Sequence, residues 1–442
     1  MGPMRPMSLI PPQTDYDVLV VGAGAAGIMA ALRASECGAR VLILEKTPRI
    51  GTKILVSGGG KCNITHAGPI EDVLRSFRPH EARFIRPACY RFTNDDVVSL
   101  FTAKGLEVYT RPNGRIFPVD RTAKEVVAIL GQHLADAGVT VRVTTAVTGL
   151  SHEAGHVTGV VTDAGAIPCD RVVLSTGGSS YPNSGTTGDG WPWARELGHT
   201  VVKVVAALAP IYLVLPEGFA DQLSGVALRD IVLKARVGTK EVDRWRDDVL
   251  FTHHGVSGPC ALEVSRSLAE TWGQGEPTLE VDVMPDRTPE QVMEWVKAAC
   301  AGQPKKRLRT VLEGVVPESV LPWLLRAAGA DPEGAAGQLE RKTRNRLVET
   351  LKGWTLGVVR TIPLEKGECV AGGISLDEVD PQTMRSRLCE GLFLCGEVLD
   401  IAGRVGGYNL QAAWATGWVA GESASSGIGD LGTGNRDPGI WD

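Results

Sequence analysis

The sequence predicts an α/β chain in which a parallel, doubly wound start is interrupted by an antiparallel β-domain and a helical stretch, after which the opening character returns. Three observations carry this reading. Residues 16–45 run strand, glycine turn, helix, strand. From about Val201, strand-like pieces follow one another with no helical periodicity between them. After Thr361 the chain is again glycine-rich and apolar and reaches another buried strand, Leu392-Phe393-Leu394-Cys395. At 442 residues the chain exceeds the size at which a single core keeps growing, so two or three domains are expected.

The first strand covers residues 16–21 and feeds Gly22-Ala23-Gly24-Ala25-Ala26-Gly27, which opens a helix to about Cys37 with Gly38 as its C-cap. The next apolar run, Val41-Leu42-Ile43-Leu44, ends on Glu45. This is the Rossmann dinucleotide fingerprint. The first glycine permits the tight turn, the second lets a pyrophosphate approach the backbone, and the third lets helix and strand pack closely. The helix start offers unpaired N–H groups to phosphates, and Glu45 can accept both ribose hydroxyls.

Further along, residues 121–137 have helical periodicity, 139–145 read as the following strand, and 157–162 with 166–168 read as a hairpin. Arg171-Val172-Val173-Leu174-Ser175 is a buried strand running into Thr176-Gly177-Gly178. The pieces at 211–215, 231–237 and 279–283 suggest a small antiparallel barrel. Thr288-Pro289-Glu290-Gln291 is a capping box with proline at the first helical position. Behind it, Val292, Trp295, Val296 and Ala299, then Leu308, Val311, Leu312 and Val315, repeat at helical spacing, and helical character runs to about Leu351. The tail from Ser423 is rich in Gly, Ser and Asp and is expected to be poorly ordered.

Charge is nearly balanced, 46 basic against 51 acidic residues, which removes any global attraction to nucleic acid or anionic membrane. The basic residues Lys305, Lys306, Arg307, Arg309, Arg341, Lys342, Arg344 and Arg346 lack interleaved aromatics and read as solvated helix faces. Nothing in residues 1–17 has the apolar core of a signal peptide, and no run reaches membrane-spanning length. Nine cysteines without a Cys-x-x-Cys pair fit a reducing cytoplasm and no metal site. A cytoplasmic enzyme is the expectation.

Four more segments carry chemistry. In Ser57-Gly58-Gly59-Gly60-Lys61-Cys62-Asn63, three glycines let backbone approach a planar or phosphorylated ligand, and Ser57 and Asn63 can hydrogen-bond it. Flavin disulfide reductases place a second cysteine five positions after the first, where this chain has Ala67, so Cys62 is expected to be a packed or ligand-facing thiol. Thr176-Gly177-Gly178 ends a buried strand. Gly396-Glu397 follows another, and Gly406-Gly407 precedes a helix starting near Tyr408 whose N-terminal dipole faces an anion. In Phe251-Thr252-His253-His254-Gly255 the paired histidines could supply a general base or a turn, and alternation along an extended segment would point one inward, His253 being favoured.

Taken together and in order, these segments, with Thr176-Gly177-Gly178-Ser179-Ser180-Tyr181-Pro182, Phe251 to Pro259, Ala371-Gly372-Gly373-Ile374 and Gly406-Gly407-Tyr408-Asn409-Leu410-Gln411, resemble the HI0933-like or YhiN-like flavoproteins, also described as aminoacetone-oxidase-family FAD enzymes. The resemblance spans nearly the whole chain. It implies a two-dinucleotide-binding-type FAD domain made from both chain ends, an inserted antiparallel β-barrel, and a helical insert within that barrel. The corresponding divisions are 1–200, 201–285, 286–345, 346–360 and 361–422, with the tail at 423–442. Two departures touch the substrate side: His66 beside the glycine loop, and Trp191-Pro192-Trp193.

On this reading Gly22, Gly24, Ala25, Ala26 and Gly27 admit the pyrophosphate of FAD, while Glu45, Lys46 and Val147 lie at its adenosine end. Ser57, Gly58, Gly59, Gly60, Lys61 and Asn63 line the flavin side, with Thr176, Gly177 and Gly178 at the neighbouring strand end. Gly396, Glu397, Gly407, Tyr408, Asn409 and Leu410 close the other side. A hydride passes between flavin and a small organic substrate, an amine being one candidate, with His253 the first choice of acid/base and Tyr408 the second. No second GxGxxG unit occurs, which favours an oxidase using O2 over an NAD(P)H-dependent reductase acting on an unsaturated or carbonyl substrate. A flavin-dependent RNA-modifying enzyme and a non-catalytic redox sensor are the readings of different class. Membrane partners are not expected, and nucleic acid is disfavoured.

Overall fold

The structure is a computed structural model that describes residues 15–120 and 122–428. Residues 1–14, on which the reading of the N-terminus chiefly rests, and residues 429–442 of the expected disordered tail lie outside the described residues. The chain divides into two compact units. The first runs to Gly178, takes in Asn183–Val202 and resumes at Gly372; the second holds Ser179–Pro182 and Lys203–Ala371.

The first unit is built on a five-stranded sheet in the order Leu392–Leu394, Val172–Leu174, Val18–Val21, Val41–Leu44, Thr140–Arg142, parallel throughout. Its strands are continuous apolar runs because both faces are covered: Val18, Leu19 and Val20 are fully buried. Val21 pairs with Leu44 on one side and Leu174 on the other. The carboxyl ends of the strands therefore deliver Gly22, Glu45, Ser175 and Cys395 to one edge, at the point where strand order reverses. Helix Ala25–Glu36 crosses helix Tyr408–Ser425 backbone to backbone. A Cβ on Gly417 would sit 2.2 Å from the Ala26 carbonyl oxygen, and one on Gly421 would sit 2.1 Å from that of Ala30.

Parts of this unit differ from the sequence reading. The strand after helix Ala123–Asp136 is only Thr140–Arg142, and the hairpin His156–Thr162 and Gly165–Pro168 gains a third strand, Val147–Glu153. Residues 64–118, where the sequence reading assigns no element, fold as three short helices, Ile70–Arg75, Pro79–Arg91 and Asn94–Thr102, and a small antiparallel sheet, Thr65–His66, Arg115–Pro118 and Val108–Thr110. Ser423 and Ser425 belong to the last helix and not to the tail.

The second unit contains a closed six-stranded antiparallel barrel in the order Ile211–Leu213, Gly255–Ser257, Lys240–Thr252, Ala227–Val237, Pro277–Asp282, Trp354–Thr361, the last pairing with the first. The expectation that no helix intervenes does not hold. Phe219–Leu223 and Pro259–Glu270 are helical, the second burying Cys260, Ala261, Val264 and Leu268 in the same core as the barrel strands. Helices Pro289–Gly302, Leu308–Val311, Leu321–Ala327 and Arg341–Gly353 are inserted between the last two barrel strands in sequence. The capping box forms as read: Thr288 Oγ1 accepts from the Gln291 amide, and the Gln291 side chain accepts from the Thr288 amide at 2.9 Å. The second periodic run stops at Val311, since Gly314 takes φ +86° and Pro317 follows. Val292, Leu324, Leu347 and Leu351 share one core with Leu233, Leu279 and Val281.

Candidate functional site

The fingerprint glycines are held for different reasons. Gly22 has φ +99°, and a Cβ there would lie 2.7 Å from the Ser175 carbonyl oxygen. A Cβ on Gly27 would meet the Gly22 carbonyl oxygen at 1.9 Å, so the third glycine is the helix–strand contact itself. A Cβ on Gly24 would meet nothing within 4 Å. The second glycine is thus open, on the side from which a pyrophosphate would approach. Gly24 is also the N-cap of helix Ala25–Glu36, with no side-chain cap and no acidic residue in the first turn, so the first amides at Ala25 and Ala26 face outward uncompensated. Ser175 braces the turn from the next strand, its Oγ donating to the carbonyl of Val21 at 2.9 Å.

Glu45 accepts from two backbone amides, Ala23 at 2.8 Å through Oε2 and Thr47 at 2.7 Å through Oε1. Its carboxylate is fixed at the tip of its strand with a lone pair left on each oxygen. The Thr145 amide donates to the Glu45 carbonyl at 2.9 Å, which brings the chain leading to Val147 alongside. Lys46 is engaged with Thr187 Oγ1 at 2.6 Å and with Asp189.

The glycine loop lies in the left-handed region, with Gly58, Gly59 and Gly60 at φ +56°, +68° and +83° and Cys62 at +58°. A Cβ would meet nothing within 4 Å at Gly59 and only the Leu55 carbonyl oxygen, at 3.9 Å, at Gly60. Gly58 is closed instead: its Cβ would reach the Asn63 amide at 2.8 Å. Ser57 donates its hydroxyl to the Ile54 carbonyl at 2.8 Å, and Lys61 is exposed. Cys62 is fully buried and burial pushes its thiol up to about 12, so it is a packed, protonated group. All nine cysteines are free thiols.

Asn63 joins the two ends of the chain. It is 9% exposed, its Oδ1 has no hydrogen-bond partner, and a Cβ on Gly407 would lie 3.0 Å from that oxygen. Gly407, at φ +90°, also presses on the backbone of Thr65, 2.7 Å from where its Cβ would be, and is the uncapped start of helix Tyr408–Ser425. The Tyr408 ring stacks on His66 at 4.7 Å, and the His66 ring nitrogens lie 2.7 Å and 3.0 Å from the carbonyl oxygens of Ala67 and Asn113. Asn409 is committed to the preceding loop, accepting from the Gly403 amide at 2.7 Å and donating back to its carbonyl. Leu410 is half-buried in the first turn of this helix. Gly396 sits against the fingerprint helix, 2.7 Å from Ala26 Cβ by its own missing Cβ, and Glu397 pairs with Lys53 at 2.6 Å.

At the neighbouring strand end Thr176 Oγ1 is buried and without a partner. Gly177 has φ +72°, and the Gly178 carbonyl accepts from the Gly188 amide. Trp191 and Trp193 are buried in helix Gly190–Glu196, Trp191 donating to the Val398 carbonyl at 3.0 Å. The histidine pair belongs to the second unit. His253 and His254 are the two turn residues of the hairpin Lys240–Thr252 and Gly255–Ser257, and both are exposed, so the alternation expected to turn His253 inward does not operate. Among the described residues no group of three or more His, Cys, Asp or Glu side chains is placed to hold a metal, and no helix is long and apolar enough to cross a membrane.

One unit therefore combines two open glycine positions, two uncapped helix starts, a fixed carboxylate and two orphaned buried oxygens. These features fit an ADP-bearing planar cofactor: open backbone for its phosphates and unsatisfied polar atoms for its ring and linker.

The comparisons with known proteins agree. The model of the HI0933-like protein Rossmann domain matches residues 16–423. The chain is 31% identical over 407 residues to the ribosomal RNA dihydrouridine synthase of Escherichia coli, covering 91% of this chain and 96% of that protein. It is 32% identical over 410 residues to the 3-dehydro-bile acid delta(4,6)-reductase of Clostridium scindens, covering 92% and 98%. In fold it is similar to the 3-ketosteroid delta1-dehydrogenase of Sterolibacterium denitrificans, with a TM-score of 0.54 at 15% identity over 93% of this chain and 99% of that one. With its Rossmann-type nucleotide site, antiparallel barrel and FAD as cofactor, the chain belongs to the HI0933-like family of flavoprotein oxidoreductases.

Proposed function

We propose that this protein is an FAD-dependent reductase of a carbon–carbon double bond conjugated to a carbonyl. The observation that carries the reading is that two relatives, each aligned over more than nine-tenths of the chain, are named for reductions of that kind. Dihydrouridine is a uridine whose ring double bond, next to a carbonyl, has been saturated. A delta(4,6)-reductase of a 3-dehydro bile acid acts on double bonds conjugated to a ketone. The substrate class is then a conjugated carbonyl compound, either a small molecule or a base within RNA.

FAD, when bound, supplies the hydride equivalent. The protein's part is to hold it and to complete the addition. Gly24 with the amides of Ala25 and Ala26 takes the pyrophosphate, Glu45 takes the adenosine ribose, and Gly59, Gly60 and Asn63 face the ring system. Hydride addition at the carbon remote from the carbonyl leaves the adjacent carbon to be protonated. Tyr408 is our choice of donor over His253, because its phenol stands in the same unit as the open glycine loop, one residue from the glycine that borders Asn63. Free thiols throughout suit a cytoplasmic location.

The test is anaerobic. The yellow holoprotein, with its flavin band at about 450 nm, is expected to bleach with NADH or NADPH and to recover its colour on adding a conjugated ketone or a uridine-containing RNA. Bleaching by an amine alone, with peroxide formed on re-aeration, would establish the oxidase reading instead. Tyr408→Phe is expected to slow the recovery about a hundredfold while leaving the bleaching rate unchanged.

A further inference from the structure

We infer that the second unit carries an oxyanion-binding site, made by Tyr181, Tyr212, His254, Arg360 and Lys366, that takes a carboxylate or phosphate group of a small-molecule ligand. The inference does not depend on the reductase reading.

Barrel pairing assembles the site. Tyr212 lies on the short strand Ile211–Leu213, opposite Gly255 on one side and Thr361 on the other. Those registers bring the preceding residues, His254 and Arg360, alongside the tyrosine. The His254 ring stands 5.0 Å from the Tyr212 ring at an angle of 45°, and the Arg360 guanidinium lies 5.9 Å from the ring centroid. Gly255 has to be glycine for this approach, since a Cβ would fall 2.2 Å from the Ile211 carbonyl oxygen. Lys366, on the turn Leu364–Lys366, brings its ammonium to 5.9 Å from the same centroid and hydrogen-bonds the Tyr212 side chain, which holds the lysine above its ordinary value.

Two features separate this cluster from an ordinary solvated patch. First, the cations are not neutralised: neither Arg360 nor Lys366 forms an ion pair among the described residues. Glu365 is the carboxylate that acts on Lys366, and it does so at long range. Elsewhere on this unit arginines of similar exposure are paired, Arg246 with Asp230 and Asp286, and Arg307 with Glu333. Second, the backbone is strained at the edge of the cluster. Tyr181 has φ +51°, a left-handed conformation unusual for an aromatic residue, and its amide donates to the Glu365 carbonyl at 3.3 Å, which fixes an exposed phenol near Lys366.

The groups gathered around the Tyr212 ring are a guanidinium fork, an ammonium and an imidazole. That set matches an oxyanion.

The test uses the full-length holoprotein and two probes, inorganic phosphate and succinate, titrated calorimetrically at low ionic strength. Saturable binding of at least one probe is expected, and which probe binds tells phosphate from carboxylate. Arg360→Gln and Lys366→Met should each weaken it about tenfold, and Tyr212→Phe should weaken it less. Arg360→Lys should retain part of the affinity, which separates loss of charge from misfolding, and an unchanged flavin absorption band should accompany every variant. The exposed pair Lys305→Ala and Lys306→Ala serves as control and should change nothing. Absence of saturable binding of either probe to the wild-type protein would overturn the proposal, as would equal binding by Arg360→Gln and Lys366→Met.

Discussion

Two buried polar clusters in the first unit are finished differently. Around His199 both ring nitrogens and the serine they meet are engaged: Nδ1 faces Glu378 Oε2 at 3.1 Å, Nε2 faces Ser386 Oγ at 2.8 Å, and Ser386 accepts from the amides of Leu388 and Cys389. At the nucleotide site the protein leaves Asn63 Oδ1, at the end of the glycine loop, and Thr176 Oγ1, at a strand end, buried and alone. Among the described residues only two other buried side-chain atoms are left so, and both are guanidinium nitrogens, of Arg33 and Arg344. Native proteins rarely leave such atoms unpaired. The complete cluster is structural, tying the segment before one strand to the turn after another; the incomplete one awaits groups that the chain itself does not supply.

The sharpest way to break this contrast is to remove a member of each cluster. His199→Leu removes one of the donors to the half-buried Glu378 and leaves the buried Ser386 hydroxyl without its side-chain partner, and is expected to lower unfolding free energy by about 2 kcal/mol with FAD affinity unchanged, read by denaturant melts of the apoprotein and flavin titration. Asn63→Leu should do the reverse, leaving apoprotein stability within about 0.5 kcal/mol while weakening FAD about tenfold, roughly one charge-neutral hydrogen bond. Equal losses of stability in the two variants would remove the distinction. Gly24→Ala is expected to weaken FAD several-fold at no loss of apoprotein stability, because its Cβ meets no protein atom.

A smaller effect follows from titration. Burial lowers His199 below its ordinary value of 6.5. Burial alone would raise Glu378, but its hydrogen bonds from Thr200 and His199 outweigh that and leave it below 4.5. Both folded values lie below the unfolded ones, so the unfolded chain binds more protons on the acid side. The cluster's contribution is complete above about pH 6.5 and is lost as pH falls through and below that value. Apoprotein melts of His199→Gln should show a shallower acid decline than wild type; an identical decline would place the acid sensitivity elsewhere.

Legibility in the sequence followed how local the constraint was. The fingerprint could be read because Gly27 answers to a backbone clash with Gly22 in the same turn and Gly22 needs a positive φ there, and the Thr288 capping box because both of its hydrogen bonds close within one turn. The barrel's longest strand, Lys240–Thr252, was hidden by its charges, Arg244, Arg246, Asp247 and Asp248 among them, which break the apolar alternation on a largely solvated face. Residues 64–118 build short helices, one with Pro87 inside it, that no periodicity window resolves. The site was legible as glycines and not as chemistry. The orphaned oxygens became visible only in three dimensions, and His199 lies 179 residues from Glu378 and 187 from Ser386. The histidine pair shows the opposite failure: its residues were conspicuous, but the assumption of extended backbone was wrong for a two-residue turn.

The crossing of helices Ala25–Glu36 and Tyr408–Ser425 through Gly417 and Gly421 has a consequence for biosynthesis. The fingerprint leaves the ribosome among the first described residues, yet the strand and the helix that complete its sheet and cover its helix come nearly four hundred residues later. The barrel, whose strands all lie between these two parts, has its whole sequence in hand first and can fold while the nucleotide site is still half made. Flavin capture is therefore a late event that reports a finished chain, and a prematurely ended one should stay colourless however well its barrel has folded.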